Sequence, residues 1–180
     1  MAVMASARLL TRADLDALPD DGLRHELIDG QFVMSPAPGI DHQTIAGSLY
    51  WMLRNVVRGT ELKVLAAPCD VVLGPNVVQP DVVLAARRDY SADDLPVPPI
   101  LAVEVLSPST ARRDRGRKRE LYAEAGVAHY WIVDPEVPSV TTYQLVDGAY
   151  TETAHVTGDD TLTVEQPVAL RLTPAELLQD

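Results

Sequence analysis

The chain has 180 residues, 47% of them hydrophobic, which suits one well-packed domain spanning residues 1–180. Its formal charge of −11 argues against non-specific binding to nucleic acid, and its single cysteine, Cys69, excludes an internal disulfide and a multi-cysteine zinc site. The opening "MAVMASARLL" is too short and too weakly apolar for a signal peptide, and no run approaches the ~18 apolar residues of a membrane span, so we expect a soluble, cytoplasmic protein with no membrane partner.

In chain order, Thr11 and Asp14 predict a capped short helix to about residue 18. "HELIDGQFVMS" alternates around Asp29-Gly30 and predicts a hairpin. Over residues 41–58 the spacing puts Ile45, Leu49, Met52, Leu53 and Val56 on one helical face. Three apolar runs follow, "LKVLAAPCDVVLG", "VVQPDVVLAA" and "ILAVEVLS", each read as strand. "RGRKRELYAEAG" reads as a helix capped by Gly126, and "AHYWIVDP" as another strand. A hairpin turns at Asp147-Gly148, and the chain closes on a short helix with Thr173 as cap, Pro174 at its first position and Glu176 completing a capping box. Such an order makes a mixed α/β chain whose central strands are covered on both faces.

Two acids interrupt this pattern. Glu104 sits in the middle of "ILAVEVL" and Asp81 in "VVQPDVVLAA", both surrounded by residues of a core. An isolated buried charge is expensive unless it is paired, protonated or bound to a metal. Taken singly, each could be a strand-end carboxylate bonded to backbone amides. Converging from neighbouring strands, the two would need a cation or a shared proton, and oxygen-only ligands suit Mg²⁺ or Mn²⁺. Lys118 falls with Leu121, Tyr122 and Ala125 on the core-facing stripe of its helix, so its ammonium either snorkels to water or enters the same pocket. Two carboxylates, a divalent ion and a lysine form a set for phosphodiester hydrolysis.

Around that lysine, "RRDRGRKR" carries a local charge of +5, leaving −16 for the rest of the chain. It reads either as a solvated helix start or as an aimed contact for phosphates through Arg112, Arg113, Arg115, Arg117 and Arg119. Asp114 within it could cap the helix or pair with Arg117 or Lys118. Cys69 reads as a buried thiol, and Tyr130 and Trp131 as core. Ser107, His129 and Asp134 are the residue types of a hydrolase triad, but the Gly-x-Ser-x-Gly elbow is absent. No pair among His25, His42, His129 and His155 has metal-ligand spacing.

"QPDVVLAA" followed by "ILAVEVLSPSTARRDRGRKRELYAEAGVAHYWIVDPE" resembles the Uma family of restriction endonucleases (DUF820-like), in the PD-(D/E)XK nuclease superfamily. "HELIDGQFVMSPAPGIDHQTI" carries the resemblance toward the N-terminus. It implies a restriction-endonuclease-like fold, a central mixed β-sheet flanked by helices with peripheral hairpins. It further implies that Asp81 and Glu104 bind Mg²⁺ (or Mn²⁺) with the Val105 backbone carbonyl, and that Glu26 is a fourth acidic member. The superfamily's lysine would fall at Leu106; the resemblance supplies Lys118 on the following helix in its place. A pocket role for His42 is implied as well. The implied activity is Mg²⁺-dependent hydrolysis of nucleic acid, DNA foremost, by a homodimer. Two rivals stand beside it: a non-catalytic nucleic-acid- or protein-binding module on the same fold, which the −11 charge favours, and a hydrolase of small phosphoesters, which a deep closed pocket would favour.

Overall fold

The computed structural model describes residues 8–19 and 21–179. Thr11 opens helix α1 (Arg12–Asp16), the Asp14 carboxylate accepting from the Thr11 N–H at 2.8 Å. Strands β1 (Arg24–Ile28) and β2 (Gln31–Ser35) form the expected hairpin. Its turn residues Asp29 and Gly30 both have positive φ, 52° and 71°, the requirement of a type I′ turn.

Helix α2 (Ile40–Val56) buries Ile45, Leu49 and Leu53 as the spacing predicts, whereas Val56 is 41% exposed and Val57, just past the helix, is buried instead. Two of the apolar runs each divide into two strands. The first breaks at Ala67-Pro68 into β3 (Leu62–Ala66) and β4 (Asp70–Leu73), and the second at Gln79-Pro80-Asp81 into β5 (Asn76–Val78) and β6 (Val82–Ala86). Proline cannot donate to a ladder, so each break is a place where the chain changes sheet. β7 (Asp94–Leu95) and β8 (Leu101–Val105) follow.

The predicted helix is longer than its sequence signal and irregular. It begins as α3 (Ala111–Arg113), passes through a π-helical segment (Asp114–Lys118) and continues as α4 (Arg119–Ala125). Gly126 ends it at φ 85°, the left-handed C-cap position. β9 (His129–Asp134), β10 (Ser139–Val146) and β11 (Ala149–Thr157) follow, the last two joined at Asp147-Gly148, again with positive φ. A small pair, β12 (Leu162–Val164) and β13 (Leu170–Leu172), alternates apolar and polar residues over only three positions each, too short a run to read as strand from the sequence. The final helix is 3-10 (Ala175–Leu178), with the Glu176 N–H donating to Thr173 Oγ1 at 3.3 Å.

The main sheet has six strands in the order β11-β10-β9-β8-β6-β3, with β8 and β9 parallel and the rest antiparallel. A second sheet, β2-β1-β5-β4-β7, carries the first hairpin at its edge. Alternation along the central strands sends Val82, Leu84, Val103 and Trp131 toward α2 and the C-terminal 3-10 turn. The opposite face, with Val83, Ala85, Ala102 and Tyr130, packs on α4 and on the second sheet through Val71, Leu73 and Val78. α1 covers the outer face of the second sheet at Leu27 and Val77. Cys69 is buried and free. No helix among the described residues is long and apolar enough to cross a membrane.

The register of α2 predicts unequal losses on truncation. Leu53→Ala should lower stability by about 2–5 kcal/mol, and Val56→Ala by no more than about 0.5 kcal/mol, both read from urea unfolding midpoints.

Candidate active site

Alternation in β1 decides which hairpin residues face inward. Leu27 turns out to α1, so Arg24, Glu26 and Ile28 turn in toward the six-stranded sheet. Glu26 is 2% exposed, so it is not a solvated residue on the outside of the hairpin. Asp81 lies one residue ahead of β6 rather than within a strand. Its N–H donates to the Val103 carbonyl at 3.0 Å, and the Val105 N–H donates to its Oδ2 at 2.8 Å, which seats it beside Glu104. Lys118 leaves the end of the π-helical segment and reaches across both sheets. Its Nζ lies 2.9 Å from Glu26 Oε1 and forms an ion pair with Glu104 Oε1, with all three side chains 2–3% exposed. Thus the structure brings Glu26, Asp81, Glu104 and Lys118 into one buried cluster, and the snorkelling alternative for Lys118 does not hold.

Three residues that pattern alone did not assign complete the cluster. Arg24 Nη1 donates to Asp81 Oδ1 at 2.9 Å and to the Gln79 carbonyl at 3.2 Å. His42, in the first turn of α2, places Nε2 3.1 Å from Asp81 Oδ2. The Tyr122 hydroxyl donates to Glu104 Oε1 at 2.7 Å, and the Gln79 N–H donates to Glu26 Oε1 at 2.7 Å. Arg24 and Tyr122 look ordinary in the sequence; the only signals were the inward phase of Arg24 with Glu26 and the place of Tyr122 on the Lys118 stripe.

Asp114 neither caps the helix nor pairs with Arg117. It is 2% exposed on the π-helical segment, its buried Oδ2 without a hydrogen-bond partner among the described residues. The helix start is likewise not a free basic face. Arg115 pairs with Asp134, Arg117 with Asp29 and Glu124, and Arg119 donates to the Tyr150 carbonyl and stacks over Tyr143. Arg112 and Arg113 alone of the five make no side-chain hydrogen bond or ion pair among the described residues. Asp134 is thus engaged with Arg115, and the Ser107 hydroxyl bonds only Ser109 and Thr110 among the described residues, so Ser107, His129 and Asp134 form no triad.

The cluster holds four carboxylates, Glu26, Asp81, Glu104 and Asp114, against Arg24, Lys118 and the imidazole of His42. Complete burial pushes the Glu104 carboxyl well above its ordinary value, Asp114, Asp81 and Glu26 adding to the rise while Lys118 opposes it. Burial also raises Asp114. For Asp81 burial works in the same direction, but the His42 contact, the Arg24 guanidinium and the Val105 N–H outweigh it and hold the group below the carboxylate range. Desolvation of Lys118 is outweighed by Glu104, Glu26 and Asp114, so the lysine stays charged.

An all-oxygen, anion-rich donor set suits a hard divalent cation in kind. As the side chains stand, no group of three or more His, Cys, Asp or Glu among the described residues is arranged to hold one. The reason is visible: Arg24 and Lys118 stand on the carboxylates a metal would use.

A six-stranded mixed sheet with this acid-and-lysine cluster on one face, backed by a second sheet, is a restriction-endonuclease-like domain. The chain matches the Uma2 family, described as "Putative restriction endonuclease", over residues 12–175, and belongs to that family. It is 34% identical over 103 residues to the uncharacterized protein slr1290 of Synechocystis sp. (strain ATCC 27184 / PCC 6803 / Kazusa). That match spans 56% of this chain and 54% of the relative. In fold it is similar to the crystal structure of a putative nuclease belonging to DUF820 from Anabaena variabilis ATCC 29413, with a TM-score of 0.78 at 19% identity, covering 94% of this chain and 97% of that one.

Removing one or the other partner of the buried pair should have unequal consequences. Lys118→Met leaves Glu26 and Glu104 uncompensated and should cost about 3–5 kcal/mol. Glu104→Gln keeps an acceptor for Tyr122 and relieves the acid excess, so it should stay within about 1 kcal/mol of the wild type. Because the Glu104 carboxyl is raised above its unfolded value, its contribution is complete at low pH and is lost as pH rises through the raised value. The Gln variant should therefore gain on the wild type as pH increases, measured by urea unfolding across the pH range.

Proposed function

We propose that this chain is a metal-dependent nuclease hydrolysing phosphodiester bonds of nucleic acid, with DNA as its substrate. The observation that carries the reading is Lys118, buried and bridging Glu26 to Glu104 beside Asp81. Asp81 and Glu104, with the Val105 carbonyl, would hold Mg²⁺ or Mn²⁺. Such an ion supplies charge for the developing phosphorane and a bound water of lowered pKa. Lys118 would orient the attacking water and stabilise charge on the phosphate, and Glu26 would position Lys118 by the contact it already makes. Cleavage of both strands of a duplex would call for a homodimer.

One observation favours a second reading. Asp81, Glu104 and Glu26 each already have an internal cationic partner, as a site retired to binding would. Calorimetric titration of Mn²⁺ with a DNA duplex present, beside a nuclease assay, separates the two. The nuclease reading expects binding by the wild type, loss of it in Asp81→Asn and Glu104→Gln, and a fall in kcat of about 10²-fold or more in Lys118→Met. Duplex binding by the folded wild type with neither metal uptake nor cleavage would give the protein to the binding class.

A further inference from the structure

The buried cluster meets solvent at one flank. There a groove of about 230 Å³ runs between the loop that follows β2 and the loop that follows β8. Arg24 and His42, both in contact with Asp81, line it together with Ser107, Ser109 and Thr110. The first turn of the 17-residue helix α2 also borders it, with Gly39 at the N-cap and no side chain capping the free amides. The chemistry on offer is a guanidinium, an imidazole, three hydroxyls and a helix N-terminus, all suited to an anion. Prolines 36, 38 and 108 stiffen the two walls.

Arg24 is the hinge between groove and cluster. Its side chain is 21% exposed, and only Nη1 is committed, to Asp81 and the Gln79 carbonyl. The other two guanidinium nitrogens hydrogen-bond no described residue. His42 likewise touches Asp81 through Nε2 while its buried Nδ1 has no hydrogen-bond partner among the described residues. A phosphodiester entering the groove therefore meets a guanidinium whose fork is two-thirds unspent and whose present partner is the carboxylate that a metal would need.

We propose that this groove is the phosphate subsite of the nuclease and that Arg24 passes from Asp81 to a substrate phosphodiester, so that phosphate and divalent cation bind cooperatively. The inference rests on the metal-dependent reading given above. When Arg24 turns to the phosphate, Asp81 Oδ1 loses its cation and becomes a free donor. When a metal takes Asp81, Arg24 is released toward the groove. Linkage makes the two effects equal in size. The arrangement also offsets part of the cluster's acid excess while no substrate is present.

The test uses the dinucleotide TpT, which carries one phosphodiester, and Mn²⁺ followed by electron paramagnetic resonance. TpT should raise the Mn²⁺ affinity of the wild type by about fivefold or more. R24A should bind Mn²⁺ without TpT at least as tightly as the wild type and show no coupling. R24K, which keeps the charge but not the fork, should show reduced coupling and serves if R24A does not fold. Unchanged Mn²⁺ affinity on adding TpT to the wild type, or full coupling in R24A, overturns the proposal. E104Q separates the two levels: it should lose Mn²⁺ yet still bind TpT in calorimetry. If no form takes up Mn²⁺, with TpT or without it, the coupling falls together with the metal reading, and TpT binding by wild type against R24A decides the subsite alone.

Discussion

Lys118 carries one positive charge across the boundary between the two sheets, and most of the site is arranged around that fact. Its ammonium meets Glu26 from the five-stranded sheet and Glu104 from the six-stranded sheet, with almost no solvent reaching any of the three. Two buried carboxylates without it would repel each other and their neighbours Asp81 and Asp114; a low-dielectric interior makes such repulsion costly. The ion pair thus joins the docking of the second sheet to the assembly of the chemistry. It also explains why the inward face of β1 carries Arg24 and Glu26 rather than two apolar residues. Both answer charges on the other sheet.

The distribution of charge over the molecule follows the same logic. The sequence concentrates six cations in residues 112–119, yet three of those arginines are spent on Asp134, on Asp29 and Glu124, and on the tyrosines near β11. Their work is to fasten the helix to the surrounding strands. Of the five arginines only Arg112 and Arg113 keep free heads among the described residues, while Arg24, in an acidic stretch of sequence, lines the groove beside the cluster. A charge run measures the demand of nearby acids as much as it measures affinity for phosphate.

How far the site could be read in advance depended on the range of the interaction that fixes each residue. Asp81 and Glu104 stand out because a carboxylate among Val and Leu violates a local pattern, and Lys118 because three to four residues of helical phase suffice to place it with Tyr122. Glu26 was ambiguous, since alternation in a hairpin tells inside from outside only when the covering layer is known. Arg24 and His42 violate no pattern; their roles arise from Asp81, 57 and 39 residues away in the chain. The fold shows the same limit. Hairpins with Asp-Gly turns and the face of α2 are local facts, whereas the division of two apolar runs between two sheets is a long-range one. Proline marked both breaks, at Pro68 and Pro80, but apolar residues on either side concealed them.

The π-helical stretch of residues 114–118 adds a consequence of its own. A π turn holds one residue more than the α ladder around it, and one residue is worth roughly 100° of azimuth along an α-helix. The extra residue lies upstream of Lys118 and downstream of the loop that frames the groove. It therefore works as a rotational spacer, setting the lysine's bearing independently of where the loop ends. Shortening the stretch by Gly116, which has no side chain to lose and faces open space, would leave every residue of the cluster in the sequence and still aim the ammonium at a different wall. In this chain the identity of the lysine and the direction in which it points are written at separate positions, and either can be lost alone.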